Sequence, residues 1–169
     1  MHQSVMEWVA EKSRQHDCTG QAVLEVGSMN VNGSVRELFA EAASYTGIDF
    51  MAGAGVDVVM NAHELAFPDA SFDLVLSTEM LEHDDEFWRS IREMGRVLKP
   101  GGLLLLTARG NGFMPHDYPF DYWRFMPASF NKLLALAGCE VLEVREDWQA
   151  GHPGVFGLGR KSQEMNAGG

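Results

Sequence analysis

Residues 23–34 read VLEVGSMNVNGS, a short apolar run that breaks into a polar loop bounded by glycines. A helical pattern follows at once over residues 35–43, with Ser34 as its predicted N-cap. We therefore expect a strand-to-helix turn at which the backbone can approach a ligand closely. Asp49 ends the next apolar segment, about 20 residues beyond Gly27, which is the spacing at which an acid reaches a nucleotide ribose.

Length and composition fit one globular domain over residues 1–169. The formal net charge is -11 and no cluster of basic residues occurs, so a nucleic-acid backbone would be repelled. Cys18 and Cys139 lack the spacing of a metal or redox pair, which favours a reducing compartment. No apolar run has the length of a membrane span, and residues 1–14 lack a signal-peptide core. The sequence thus predicts a cytoplasmic protein without a nucleic-acid or membrane partner, and it leaves the oligomeric state open.

Apolar segments alternate with helical patterns along the whole chain, which is typical of an α/β sheet with crossover helices. The predicted helices are one within residues 1–19, followed by 35–43, 79–98 and 128–137. The predicted strands cover residues 22–26, 45–48, 56–60, 72–77, 103–107, 139–146 and 154–160. The small, polar residues 162–169 are predicted to form a disordered tail.

Four motifs occur in order between residues 20 and 160. They are the glycine loop 23–33, the tripeptide GID at 47–49, the loop NAHELAFP at 61–68 and the turn LKPGG at 98–102. Together they make the chain resemble the class I S-adenosylmethionine-dependent methyltransferases, in particular the metabolite-methylating, type 11-like group. The resemblance implies a Rossmann-like, doubly wound, three-layer α/β fold with a mostly parallel seven-stranded sheet and an antiparallel terminal strand. It also implies that S-adenosylmethionine lies across the carboxyl ends of the central strands.

The resemblance assigns cofactor-binding roles to the strand ends. The backbone at Gly27 and Ser28 would pass close to the methionine part of the cofactor, and Glu25 would orient its amino group. Asp49 would take the ribose hydroxyls, and Ser77 at the end of the fourth strand would place a carbonyl near the amino group. We expect these residues to meet at one edge of the sheet.

The adenine end of the predicted site departs from the family pattern. Asn61 stands where the family usually has Asp, although its amide oxygen can still accept from the adenine amine. Ala62 would offer its backbone amide to the ring, and Phe50 would cover the base. Met29 and Val31 replace glycines of the family loop, so their side chains can narrow the pocket or push the loop outward.

A first catalytic candidate is the pentapeptide EMLEH at residues 79–83. On the predicted helix Glu79, Glu82 and His83 are spaced i, i+3 and i+4 and share one face, where they can ligate a divalent cation. The pentapeptide is similar to the metal-using motif of the ubiquinone-pathway O-methyltransferases. Two alternatives remain open, namely a His83 that faces the substrate without a metal and a structural role for all three side chains.

A second candidate is the aromatic segment PHDYPFDYWRF at residues 115–125, which resembles members of the family found near glycan-modifying genes. His116 is a predicted general base because its ordinary pKa is near neutrality. Tyr118, which we place with His83 and His116 as catalytic, can stack on a sugar or ring together with Tyr122 and Trp123. The alternative is a lid whose aromatic residues fill space while Arg124 pairs with a nearby aspartate.

The resemblance therefore implies an enzyme that moves a methyl group from S-adenosylmethionine to a small-molecule or glycan-like acceptor, at oxygen. A divalent cation is a possible second cofactor. The substitutions at Met29, Val31 and Asn61 leave open a module that binds the cofactor without turnover. An NAD-dependent dehydrogenase is disfavoured because the tight glycine repeat G-x-G-x-x-G is missing.

Overall fold

The computed structural model describes residues 2–116, 119–147 and 151–163. Its strands are β1 (Ala22–Val26), β2 (Ser44–Asp49), β3 (Val58–Val59), β4 (Phe72–Thr78), β5 (Leu98–Arg109), β6 (Cys139–Asp147) and β7 (Gly154–Lys161). Its α-helices are α1 (Gln3–Gln15), α2 (Phe87–Val97) and α3 (Pro127–Leu136). The strands form one sheet in the order β3-β2-β1-β4-β5-β7-β6. All pairs are parallel except those of β7, which runs antiparallel to β5 and β6.

The strand order reverses beside β1, which has β2 on one side and β4 on the other. Val26 of β1 pairs with Ile48 of β2, and Glu25 pairs with Leu76 of β4. The carboxyl ends of these three parallel strands therefore meet at one edge. Open α/β sheets bind their ligands at such a reversal point, so this edge is where a site is expected.

The sheet is covered on both faces, as the three-layer prediction requires. On one face α1 packs through Val5, Trp8 and Val9 against apolar residues of β1, β4, β5 and β7. The helices α2 and α3 pack on the other face through buried side chains such as Ile91 and Phe130. Each such side chain, when fully buried, contributes about 1.5–3 kcal/mol to folding. Among the described residues, no helix has the length and apolar character that crossing a bilayer requires.

The prediction of a helix over residues 35–43 is wrong. The structure has a single 3₁₀ turn, Arg36–Phe39, and β2 begins at Ser44. The amides of Leu38 and Ala42 bond to carbonyls three residues earlier, at 3.0 Å each, which is the 3₁₀ pattern. Ser34 is not an α-helical N-cap; its hydroxyl accepts a 3.2 Å bond from the Arg36 amide two residues on.

The predicted helix over residues 79–98 is also interrupted. Glu79 has a φ of +54°, which no helix accommodates, and a 3₁₀ turn, Leu81–His83, follows it. The α-helix α2 starts only at Phe87 and ends at Val97. Strand pairing resumes at Leu98 opposite Phe72, so β5 is longer than its apolar segment 103–107. At the sheet edge, β3 is shorter than the predicted strand over residues 56–60.

Candidate functional site

A cleft runs along the carboxyl edge of the sheet and contains two cavities, each of about 280 Å³. The glycine-loop cavity includes Glu25, Ser28, Met29, Thr78 and Glu79 in its wall, and the Asn61 cavity includes Asn61, Ala62 and His63. Five residues line both cavities, namely Gly27, Asp49, Phe50, Met80 and His83. An elongated ligand can therefore cross the cleft over the end of β1, with one part in each cavity.

Gly27 lies at the centre of this cleft in the left-handed region, with a φ of +82°. The amides of Gly27 and Ser28 both bond to the Ile48 carbonyl at 2.9 Å, which holds the turn against β2. A Cβ at position 27 would lie 2.5 Å from the Met80 Cγ, so only glycine fits without a shift of its neighbours. This agrees with the close backbone approach that the glycine loop predicts.

Glu25 is buried at the end of β1 and lines the glycine-loop cavity. The Tyr45 hydroxyl donates a 2.7 Å hydrogen bond to its Oε2. Burial raises the pKa of Glu25 to about 7, against the smaller lowering effects of the Tyr45 hydrogen bond and of the Arg36 charge. The carboxyl group therefore gains its charge near neutral pH, where it can attract a ligand ammonium group.

This titration predicts a pH-dependent affinity for S-adenosylhomocysteine. Below a pH of about 7 Glu25 is neutral, so its attraction for the ligand ammonium is lost and binding weakens as the pH falls. A charged hydrogen bond of about 1.5–3 kcal/mol corresponds to roughly tenfold or more in affinity between the two forms. Calorimetric titrations across this range check the trend. In Glu25→Gln the dependence should flatten, and an unchanged slope in that variant would contradict the assignment.

Asp49 ends β2 and faces the cleft. Its Oδ2 accepts a 3.3 Å bond from the Met29 amide, and its Oδ1 accepts a 3.2 Å bond from the Met51 amide. The Met29 side chain packs toward Gly53, where a Cβ would lie 3.1 Å from the Met29 Cε. The methionine that replaces a family glycine therefore lies beside the neighbouring loop, and it also lines the glycine-loop cavity.

Asp49→Asn is expected to weaken S-adenosylhomocysteine binding by roughly 10- to 100-fold, because hydrogen bonds to a charged group contribute about 1.5–3 kcal/mol. The amide keeps the shape of the side chain but can accept only one of the two bonds from the Met29 and Met51 amides, so thermal stability without ligand is measured beside the affinity. Asp69→Asn is the control, because Asp69 is an exposed carboxylate that pairs with Arg96 away from the cleft. Equal affinities for the two variants would exclude Asp49 from the ligand site.

The residues predicted for the adenine end of the site, Phe50, Asn61 and Ala62, lie together in the wall of the Asn61 cavity. The Asn61 Oδ1 accepts a 2.9 Å bond from the His63 amide, while Phe50 is 56% exposed at the rim. The sequence did not predict the role of Asp84, which receives the His63 Nε2 at 2.6 Å and the Ser90 hydroxyl at 2.5 Å. These bonds fix the His63 ring as a wall of the cavity.

The sequence places the end of the fourth strand at Ser77, which is one residue too early. The strand β4 continues to Thr78, and Ser77 is fully buried within it. Thr78 lines the glycine-loop cavity, whereas Ser77 is not among the described residues that line it. His2 also lines this cavity, through its contact with Glu79, and no sequence motif pointed to it.

The structure does not place Glu79, Glu82 and His83 on one helix face, because residue 79 precedes the 3₁₀ turn in a left-handed conformation. The Glu79 carboxylate meets the Arg109 guanidinium at 2.5 Å and the His2 Nδ1 at 2.6 Å. The predicted geometry of the metal site is therefore wrong. The imidazole of His83, by contrast, faces both cavities, and its Nδ1 must donate to the Phe120 carbonyl at 2.6 Å.

Glu82 is the most deeply buried acid near the cleft, with 0% exposure. Burial raises its pKa to about 8, so the side chain is mainly neutral at pH 7 in the free protein. Its backbone carbonyl accepts bonds from the amides of Tyr122 and Trp123, at 2.8 and 3.2 Å. This fastens the aromatic segment to the 3₁₀ turn after β4.

The aromatic segment brings His116 to His83, with ring centroids 4.7 Å apart in an edge-to-face arrangement. The His116 amide donates to the Asp121 Oδ2 at 2.8 Å. Burial and the nearby His83 lower the pKa of His116, so its imidazole is neutral at pH 7. Tyr118 lies outside the described residues, so its catalytic role stays a prediction.

Arg124 holds this segment together. Its guanidinium bonds both carboxylate oxygens of Asp121, at 2.5 and 2.6 Å, and the carbonyls of Phe113 and Met114, at 3.2 and 3.1 Å. The pair with Asp121 is the structural alternative that the sequence left open. The exposed rings of Phe120 and Tyr122 stay at the rim of the Asn61 cavity.

Known proteins similar in sequence to this chain are methyltransferases, which agrees with a cofactor-sized cleft at the carboxyl edge of the sheet. A model of a family described as "Methyltransferase domain" matches residues 24–106. A 27-O-demethylrifamycin SV methyltransferase of Amycolatopsis mediterranei is 38% identical over 52% of this chain and 38% of its own length. A probable S-adenosylmethionine-dependent methyltransferase of Mycolicibacterium smegmatis is 31% identical over 75% of this chain and 54% of its own length. The chain thus spans about half or less of the length of these relatives.

A solved structure has the same fold. The 1,6-didemethyltoxoflavin-N1-methyltransferase of Burkholderia thailandensis, with S-adenosylhomocysteine bound, superimposes with a TM-score of 0.76 at 18% identity. The match covers 94% of this chain and 79% of that one. Sheet order, the glycine turn at the reversal point, the family match and this fold all agree: residues 24–106 carry the methyltransferase domain, and the chain has the fold of the S-adenosylmethionine-dependent methyltransferases.

Proposed function

We propose that this chain transfers a methyl group from S-adenosylmethionine to a hydroxyl of a small-molecule or glycan-like acceptor. The observation that carries the proposal is the position of His83 at the junction of the two cavities, with Nδ1 bound to the Phe120 carbonyl. Because that nitrogen carries the hydrogen, Nε2 is the basic nitrogen of the neutral ring. A base is needed only where the nucleophile loses a proton, as a hydroxyl does.

The cleft fits the cofactor in shape and in chemistry. Gly27 leaves space that a Cβ would fill, and Glu25 and Asp49 offer acceptors on either side of it. We assign Glu25, Gly27 and Ser28 to the methionine part and Asp49 to the ribose. We assign the remaining cavity to the adenine, with Phe50, Asn61 and Ala62 in its wall. When bound, S-adenosylmethionine supplies a methyl group on a sulfonium that is already a good leaving group.

The residues of the chain then have two tasks, alignment and proton removal. His83 accepts the hydroxyl proton on Nε2, and His116, 4.7 Å away between ring centroids, helps to orient the acceptor oxygen. The rim supplies the exposed rings of Phe120 and Tyr122, which can pack on a ring or sugar face of the acceptor. The name of the A. mediterranei relative refers to an O-demethylated compound, which supports oxygen as the methylated atom.

A cofactor-binding module without turnover is the second candidate, and the absence of the family's acid at Asn61 favours it. The His63 amide already occupies one of the two lone pairs of the Asn61 Oδ1. The cytoplasmic location predicted from sequence also remains a proposal, supported by the unpaired thiols of Cys18 and Cys139.

Calorimetry with S-adenosylhomocysteine and a methyl-transfer assay on a panel of hydroxylated aromatic and sugar acceptors test the proposal. We expect one ligand per chain, no binding of NAD, and a methylated product that is lost in His83→Gln while ligand affinity is retained. Ligand binding without turnover on any acceptor would support the module instead. Absence of ligand binding would exclude both.

A further inference from the structure

We propose that Glu82, His83 and His116 form a binding site for one divalent transition-metal ion of the zinc class. Each side chain offers one ligand atom, and these atoms all lie within 4.8 Å of one another. Two of the residues lie on the 3₁₀ turn after β4, and the third lies on the segment after β5. A bound ion would occupy the Nε2 lone pair of His83 that serves as the base in the metal-free chain, and it would instead lower the pKa of the acceptor hydroxyl. Metal binding is measured without an acceptor, so the two proposals can fail separately.

The buried carboxyl group of Glu82 indicates a ligand because nothing else accounts for an acid at this position. The side chain is fully buried, and neither oxygen has a hydrogen bond of normal geometry to the part of the chain that the structure describes. The backbone amides of Glu82 and Arg109 lie close enough to favour the charged form of the carboxyl group, but neither reaches full hydrogen-bond geometry. An unsatisfied buried acid costs folding free energy, whereas a carboxylate that ligates a cation is compensated.

The two imidazoles are held as metal ligands usually are. The Nδ1 of His83 donates to the Phe120 carbonyl, which leaves the lone pair of Nε2 directed away from that bond. The Nδ1 of His116 is 3.4 Å from the Asp121 Oδ2, and the amide of the same residue bonds that oxygen. Asp121 is itself fixed by Arg124. Such outer contacts set ring orientation at metal sites.

The donor set selects the class of ion. Two imidazole nitrogens and one carboxylate suit zinc, iron or cobalt better than magnesium or calcium, which prefer oxygen ligands. Ligands bound at about 2.0–2.2 Å lie roughly 3–3.5 Å apart in a tetrahedral site, so small side-chain rotations would close this cluster. His83 and His116 also line the cleft, so the open coordination position would face an acceptor oxygen.

The set differs from the one that the sequence predicts. Glu79 is engaged by Arg109 and His2, and its place is taken by His116 from a different segment of the chain. A second group, His63, Asp84 and Asp85, has similar spacing, but Asp84 already binds His63 and the Ser90 hydroxyl. The first group is therefore the one with an unpartnered buried carboxyl.

Titration of the full chain, without an affinity tag, with Zn²⁺ and Co²⁺ tests the proposal by calorimetry and by the visible spectrum of bound cobalt. We expect one ion per chain. Loss of an outer-shell partner alone weakens metal binding 10- to 100-fold. We therefore expect His116→Ala and Glu82→Gln each to weaken binding by at least about 100-fold.

Two control variants separate this site from its alternatives. His63→Ala removes another imidazole of the cleft, and Asp69→Asn removes an exposed acid that pairs with Arg96 outside it; both should bind cobalt within about threefold of the unmodified chain. The proposal is overturned if the unmodified chain binds no ion, if His116→Ala and Glu82→Gln bind normally, or if either control loses binding. Binding of S-adenosylhomocysteine, measured separately, reports on the proposed function rather than on the metal site.

Discussion

Gly27→Ala is expected to reduce S-adenosylhomocysteine affinity by more than about 100-fold while the chain still folds. Two effects combine at this position. The alanine must adopt a φ of +82°, and its Cβ would lie 2.5 Å from the Met80 Cγ and 2.7 Å from the Met80 Cβ. Left-handed strain in a residue other than glycine costs about 1–3 kcal/mol, and relief of the clash pushes Met80 or the loop into the cleft. Calorimetry for affinity and urea unfolding for stability measure the two effects.

Gly20→Ala is the matched control for this variant. Gly20 has a similar φ of +72° but precedes β1 at the opposite edge of the sheet, and a Cβ there meets nothing within 4 Å. Gly20→Ala should lower the free energy of unfolding through the same backbone strain, but it should keep its affinity for the ligand. If Gly20→Ala and Gly27→Ala bind the ligand equally well, the cleft beside Gly27 is not the cofactor site.

The sheet was predictable because its signals are local. Each strand is a short apolar run bounded by turn residues, and β1 matches its predicted bounds at Ala22 and Val26. The register that brings Asp49 beside Gly27 follows from the parallel pairing of adjacent strands. The continuous apolar run over residues 103–107 is typical of a strand buried on both faces, and both core clusters contain its leucines.

The helices were less predictable because contacts with residues far away in the sequence compete with local helical periodicity. Residues 35–43 have an apolar stripe, but Val35 and Phe39 reach the core from a 3₁₀ turn, and β2 begins too soon for a longer helix. Glu79 leaves the helical region because its carboxylate bonds Arg109 and His2, which lie far away in the sequence. Periodicity cannot reveal a partner 30 residues away.

The site shows the same division. Residues at or just after the strand ends, such as Glu25, Gly27 and Asp49, line the cleft at the carboxyl edge of the sheet, and their roles toward the cofactor stay predictions. His116 was predicted as a base, but its proximity to Glu82 depends on the fold of an irregular segment, which no periodic pattern describes. Arg109 had one available signal, since it is a charged residue at the end of an otherwise apolar buried strand.

Arg109→Met is expected to lower the free energy of unfolding by about 3–5 kcal/mol, because loss of one partner of a buried ion pair leaves the other charge uncompensated. Arg109 is fully buried, meets the Glu79 carboxylate at 2.5 Å and donates to the His152 carbonyl at 3.1 Å. The methionine side chain can still pack on Phe113, so most of the loss is electrostatic rather than steric. Urea unfolding measures the change.

A second substitution separates the charge effect from the loss of packing. Adding Glu79→Gln to Arg109→Met removes the uncompensated charge, so the double variant should recover part of the lost stability, which a purely steric defect would not allow. Arg89→Met is the surface control: Arg89 pairs with Glu86 at 2.9 Å, both side chains are largely exposed, and its loss should cost less than about 1 kcal/mol. If Arg109→Met is as stable as Arg89→Met, the Glu79–Arg109 pair contributes little to stability, and the conformation of Glu79 has another cause.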